Sequence, residues 1–390
     1  MVRFLHTADW QIGKPYGRVR DPDHRARLRQ VRIAAIARIA EVIAEQQAEL
    51  VLVAGDLFDS PGPSRSDVAQ TCSAIGAMGV PVMVIPGNHD HGGTGSLWHQ
   101  GWFQQLATDL APNLEVMLER APRQLEHLTV LPCPLLRQAE VGDPCQWLQG
   151  LEAASLGTTP RVVLAHGSVH GFDAKDLDEG ELAPSTNRLR LEALPPGLAD
   201  YVALGDWHGL KQVSPQAWYS GCPEQDRFPR SDDYRSAQVL LVDVERGVAP
   251  KVEVIATGQV SWHQLTQRLN EDSDLDALEG ALKRQLGSRS GEDLLLLELD
   301  GQLSLQGNNR LQLLLDALES RLLRLKLRNR LRVVPDSAEL GQLTERPGDP
   351  LVARVAGQLQ RLSLDQGDGA TAELAQLALQ ELSALCSQEP

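Results

Sequence analysis

The chain has 390 residues, 42% hydrophobic and 23% charged, a length beyond the usual single core and a composition typical of ordinary soluble proteins. Its formal net charge of -15 argues against broad coating of a polyanion, because that affinity comes from neutralising phosphates; a local basic track stays open. Cys72, Cys133, Cys145, Cys222 and Cys386 are odd in number, widely spaced and free of any C-x-x-C pair, which argues against a disulfide framework or a zinc ribbon.

The start, "MVRFLHTADW", holds no long apolar stretch behind a basic residue, and no later segment offers the ~18 apolar residues a membrane span needs. The expectation is a cytoplasmic protein with no membrane contact. "VRFLHTAD" reads as a short strand running into a polar loop, and the following segment carries Val31, Ala35, Ile36, Ile39 and Ile43 at helical spacing. "ELVLVAGDLFD" is an apolar strand that ends in glycine and aspartate. "SDVAQTCSAIGAMG" reads as a helix, and "VPVMVIPGNHDH", "RVVLAHGSVH" and "DYVALGDWHG" repeat the strand-to-polar-turn arrangement. Each buried strand delivers Asp, Asn or His at its C-terminal end, where loops of an α/β sheet converge on one crevice.

"QVLLVDVERGVAPKVEVIATG" reads as a hairpin closing the first domain. A second unit begins near "SWHQL", with a helix "LDALEGALKRQL", a strand "DLLLLELDGQLSL", a long helix "NRLQLLLDALESRLLRLKL" and a short strand "LRVVP". Two helical stretches separated by "SLDQGDGA" follow; in the last, Leu374, Leu377, Leu382 and Leu385 share one face, for a partner or for the protein's own core. Two basic runs stand out, Arg18, Arg20, Arg25, Arg27, Arg29 and Arg32, and then Arg321, Arg324, Lys326, Arg328, Arg330 and Arg332. Either is a nucleic-acid track or a solvated helix face.

Five clusters remain: Asp9 with Gln11, Asp56 with Asp59, Asn88 with His89, His166, and Asp206 with His208. Carboxylates, an amide oxygen and imidazoles suit hard or borderline divalent ions, and no cysteine joins them to make a thiolate site.

"HTADW", "GDLFD", "PGNHD", "AHGS" and "GDWHG" resemble the ordered motifs of the calcineurin-like metallophosphoesterases, and within them the SbcD-type exonucleases of DNA double-strand-break repair. The resemblance covers residues 1 to about 260 and implies an α/β four-layer sandwich, two β-sheets flanked by helices. It implies a metallophosphoesterase domain over 1–258, a smaller α+β capping domain over 259–337 and a C-terminal helical tail over 338–390 for docking a partner. The implied partners are DNA, an SMC-like coiled-coil ATPase and a second copy of the chain; the implied location is the cytoplasm, nucleoid-associated when bound to DNA.

Carried over by position, Asp9 and His208 hold one divalent ion, Asn88, His166 and Asp206 a second, and Asp56 bridges them. His89 matches the residue that assists the leaving oxygen. Asp59 and Asp90 either orient these groups or serve as turn and cap residues. Two positions depart from the pattern: Gln11 stands where the family has histidine, offering a neutral amide oxygen, and Asp206 replaces the first histidine of G-H-x-H. The added carboxylate favours manganese, or magnesium, over softer ions. Tyr219, Ser220 and Gly221 line a substrate groove or form a turn; Trp10 and Trp207 wall the site or pack in the core. His91, His99 and His170 match no ligand position, and His6 belongs to the core or the surroundings of the site.

The function expected is a metal-dependent nuclease acting on DNA ends or single strands. The alternatives are a phosphoesterase for nucleotides, cyclic nucleotides or phosphoproteins, and a catalytically weak scaffold that binds DNA or an ATPase.

Overall fold

The computed structural model describes residues 1–169, 186–229, 234–287, 291–346, 348–364 and 369–387; His170 and part of the "SLDQGDGA" stretch lie outside them. Two compact units result, Met1–Val260 and Ser261–Pro390.

In the first unit, β1 (Val2–Thr7), β2 (Leu50–Ala54), β3 (Val82–Ile85) and β4 (Leu114–Val116) run parallel side by side. Then come β5 (Arg123–Gln124), β6 (Thr129–Cys133), β7 (Arg161–His166), a separate parallel pair β8 (Ser168–Val169) and β9 (Arg188–Leu189), and β10 (Tyr201–Gly205), β11 (Lys211–Gln212) and β12 (Ala217–Tyr219). The second sheet has the order β11-β12-β10-β7-β6-β5. An antiparallel hairpin, β13 (Gln238–Val244) and β14 (Lys251–Ala256), extends the first sheet beside β1, with Phe4 opposite Val242.

Alternation along the strands builds the layers. Phe4, Leu52 and Met83 face Val130, Val162, Leu164 and Tyr201 between the sheets. Leu5, Val51, Val53 and Val84 point the other way, onto the apolar sides of α1 (Pro22–Gln46), α2 (Arg65–Gly76) and α3 (Gly101–Leu110). The outer face of the second sheet is covered by short 3-10 turns, through Leu148, Leu156 and Leu191. Asp21 caps α1 by accepting from the amides of Asp23 and His24, a contribution of about 1 kcal/mol, and Pro22 suits the first turn because its missing N–H has no partner to lose.

The second unit winds as β15 (Ser261–Leu269), α4 (Asp274–Gln285), β16 (Asp293–Leu303), α5 (Leu305–Arg321) and β17 (Arg324–Val333), with all three strands parallel. Helices α6 (Ser337–Thr344), α7 (Pro350–Ser363) and α8 (Gly369–Ser387) follow. Leu295, Leu297 and Leu299 pack with Leu325 and Leu331 against helix residues Leu278, Leu282, Leu311 and Leu318. The helix read through Leu327 stops at Arg321. From Arg324 the apolar residues alternate with basic ones, a period of two that one-sided burial turns into a strand. Arg324, Lys326, Arg328, Arg330 and Arg332 therefore share the face opposite the leucines.

The first basic run divides differently. Arg32 is buried and donates to the carbonyls of Asp9, Trp10 and Glu224, while Arg29 pairs with Asp67. In α8, Leu379 packs in the core with Leu382 against it, and Leu374, Leu377 and Leu385 are exposed. No helix among the described residues is long and apolar enough to cross a membrane.

Candidate metal centre

The parallel order β1-β2-β3 places Asp9, Asp56 and Asn88 at neighbouring strand ends of one sheet, and β7 and β10 bring His166, Asp206 and His208 from the other. Asp9, Gln11, Asp56 and Asp206 have φ of 54°, 44°, 55° and 101°, a left-handed region that costs side-chain-bearing residues about 1–3 kcal/mol each. The surrounding sheets fix these turns. Gly55 leaves no room for a side chain: at φ +91° a Cβ there would lie 2.2 Å from His166 Nδ1.

His166 is fully buried, and its Nδ1–H donates to Ala54 O at 2.8 Å, so Nε2 faces the centre. Around Nε2 stand Asn88 Oδ1 at 2.9 Å, Asp56 Oδ2 at 3.7 Å and Asp206 Oδ1 at 3.7 Å. Burial alone would lower the pKa of this ring, but Asp56, Asp9 and Asp206 raise it to about 9. Ser168 Oγ donates to Asp206 Oδ2 at 2.8 Å and fixes the carboxylate. Three oxygens converging on one imidazole nitrogen fit a hard divalent ion, whose charge would take the place of the ring proton.

Asp9 is buried beside this cluster. Its pKa is pushed up to about 6 by burial, with His208 and His166 opposing and Asp56 and Asp206 adding to the rise. Ligand atoms of Asp9, Asp56 and His166 lie within 4.8 Å of one another. His208 Nε2 is 4.0 Å from Asp9 Oδ1, and its Nδ1–H donates to Asp226 Oδ2 at 2.9 Å. Burial would raise Asp226, but His208, Lys14 and Arg227 hold it well below the usual carboxylate range. Gln11 joins the cluster with its amide reversed: Oε1 accepts from Lys14 Nζ at 2.7 Å, and Nε2 faces His208 Nε2 at 3.1 Å. The remaining donors, Asp9, His208 and shared Asp56, fit an ion less completely.

His89 stands at the rim with its side chain 41% exposed. Its Nδ1–H donates to Asp59 O at 2.8 Å, leaving Nε2 4.0 Å from Asp56 Oδ2. Burial would lower this ring's pKa, but Asp56 and the Asp59 carbonyl hold it above the ordinary value. Asp59 thus acts on His89 through its main chain; its carboxylate lies 3.6 Å from Lys14. Asp90 is buried and accepts from the amides of Gly87 at 2.7 Å and Phe58 at 3.1 Å, tying two ligand loops together.

Tyr219 and Ser220 are buried, and Tyr219 OH donates to Gly167 O and accepts from Val169 N, bracing the turn after His166. Tyr219 ends β12 and Ser220 follows it, both packed in the interior. His6 lies in the core, bonded to Tyr201 OH, as does Trp10. Lys14, Ser168 and Asp226 carry no local signal in the sequence, and Arg32 reads there only as part of a basic run although it is buried behind Asp9 and Trp10.

The family model for calcineurin-like phosphoesterases matches residues 2–234. The chain is 28% identical over 294 residues to the SbcD component of the nuclease SbcCD of Rhodobacter capsulatus, covering 64% of this chain and 68% of that one. It is 24% identical over 275 residues to the same component of the SbcCD nuclease of Bacillus subtilis, covering 63% and 67%. It is also 25% identical over 258 residues to the DNA double-strand break repair protein Mre11 of Methanosarcina acetivorans, where the match takes in 63% of this chain and 37% of that protein.

Proposed function

The chain belongs to the calcineurin-like phosphoesterase family, and from that premise we propose that it is a nuclease, hydrolysing phosphodiester bonds at DNA ends or in single strands during repair. The observation that carries the reading is the meeting of Asp9, Asp56, Asn88, His166, Asp206 and His208 at the ends of strands from two sheets. The similarity to two nuclease components and a double-strand-break repair protein supports DNA as substrate.

In this reading Asn88, His166, Asp206 and Asp56 would hold one divalent ion, and Asp9, His208 and Asp56 a second. Such ions polarise a phosphoryl group and acidify water. The carboxylates and amide favour manganese, then magnesium. His89, fixed by Asp59 O, turns Nε2 toward the reacting phosphate and gives its proton to the leaving oxygen. Asp90 and Asp226 keep the loops and His208 in register.

Residues 1–258 would form the nuclease domain, 259–337 the cap and 338–390 the docking segment. The exposed Leu374, Leu377 and Leu385 suit a coiled-coil ATPase partner, and the cationic face of β17 suits DNA. On this reading the protein works in the cytoplasm, associated with the nucleoid while bound to DNA.

End-labelled single- and double-stranded DNA incubated with manganese tests the reading, comparing the wild type with His89→Ala and Asp56→Asn. Cleavage by the wild type that both variants lose is expected. Cleavage of a small phosphodiester together with inertness on all DNA would move the substrate to the nucleotide class.

A further inference from the structure

We propose that Lys14, acting through Gln11, makes the two ion sites unequal, so that the chain holds one divalent ion tightly and admits the second weakly. This inference rests on the metal-dependent reading above.

Asp226 is an acceptor of the His208 Nδ1 proton, at 2.9 Å, which leaves Nε2 of the same ring with its lone pair. That lone pair is the one an ion held by Asp9 and His208 would use. It instead faces the Gln11 amide nitrogen at 3.1 Å, in a side chain that is 1% exposed. Turning the amide over would bring its oxygen to the site, as the motif position requires. The turned amide would also set NH2 against the Lys14 ammonium, which now donates to the oxygen at 2.7 Å. Two donors cannot satisfy each other, so Lys14 selects the orientation that withholds the ligand.

Lys14 is itself anchored, 3.2 Å from Asp226 Oδ2 and 3.6 Å from Asp59 Oδ1. Its charge offsets part of the anionic surroundings that would draw in an ion. Among the described residues no ammonium is hydrogen-bonded into the other site: His166 Nε2 faces the three oxygens of Asn88, Asp56 and Asp206, and the ring is fixed from behind by Ala54 O. The inequality therefore resides in residues 11 and 14, and changing either should reduce it.

Calorimetric titration of the metal-free full chain with manganese tests this, alongside electron paramagnetic resonance of the spin-coupled manganese pair. Gln11→His and Lys14→Met are each compared with the wild type, with circular dichroism as the check on folding. The wild type should show one tight ion and a second at least about tenfold weaker, in the range by which groups behind the ligands alter affinity. Either folded variant should bring the second step at least about tenfold closer to the first and yield the coupled-pair signal at lower manganese. Two equal steps in the wild type, or an unchanged gap in folded variants, overturn the inference while the metal-dependent reading stands. No ion bound by any of the three proteins overturns both.

Discussion

The backbone amide of Asp206 donates to both carboxylate oxygens of Asp9, at 3.2 Å each, across a sequence separation of 197 residues. The first and last motifs of the phosphoesterase unit thus meet at one carboxylate. The two sheets that carry them are fastened at the place where the ligands stand.

That carboxylate is buried among like charges, and its pKa is pushed up to about 6. Asp9→Asn keeps an acceptor for the Asp206 amide and removes a charge whose burial is unfavourable. The metal-free variant is expected to unfold at the same or a higher urea midpoint than the wild type, while manganese-dependent hydrolysis falls at least about 100-fold. A variant that is both less stable and fully active would show that Asp9 is a structural residue.

His89 offers a separable test, because its ring reaches the site from the rim and holds Asp59 O with its other nitrogen. Proton donation to a leaving oxygen accounts for about 100- to 10,000-fold in rate. His89→Gln is expected to lose that much on DNA yet less than about tenfold on a diester with a nitrophenyl leaving group, which needs no proton. The number of ions bound should not change. Equal losses on both substrates would mean that His89 positions phosphate without donating to it.

Much of the site is legible in the sequence because each strand end carries its ligands locally: a few residues after an apolar run identify Asp9, Asp56, Asn88, His166, Asp206 and His208. What orients those ligands is not local. Asp226 meets His208 from 18 residues away, and nothing in "PEQDRF" marks it. Lys14 is one basic residue near a basic run, and only folding sets it against Gln11. Arg32 belongs to that run by composition and to the interior by its bonds to the Asp9 and Trp10 carbonyls. In the second unit, leucine is frequent enough around Leu311–Leu331 to satisfy helical and alternating templates together, so the turn from α5 into β17 is hidden; the strand at Ser261–Leu269 is missed because its sequence, SWHQLTQRL, is mostly polar and shows no clean alternation.

Away from the site, His6 gives a pH dependence of stability. Complete burial lowers its pKa to about 3, against a bond to Leu204 O that favours the charged form. The unfolded chain takes up this proton below the ordinary value of 6.5 and the folded chain does not until about pH 3. Stability is therefore lost as pH falls through that window, at up to about 1.4 kcal/mol per pH unit. His6→Leu leaves the Tyr201 hydroxyl without this partner and is expected to be less stable at pH 7. Its deficit should shrink by up to about 2 kcal/mol at pH 5, measured by urea unfolding. Parallel pH profiles for the two proteins would remove His6 as the source.

The acidic balance of the chain makes the cationic face of β17 the sharpest test of how it would engage DNA. Arg328 is matched by Glu298, with Nη1 and Oε1 2.5 Å apart, so its charge is partly spent within the sheet. Arg330 and Arg332 are exposed on the same face. Replacing both by Gln changes two solvated side chains and should leave stability within about 0.5 kcal/mol. If each contacts one phosphate, the slope of log affinity against log salt for single-stranded DNA should fall by about 0.7 per residue, because fewer counterions are released. Weaker binding with an unchanged slope would mean that the pair shapes the surface without touching phosphate. Unchanged affinity and slope would shift the DNA contact away from this strand.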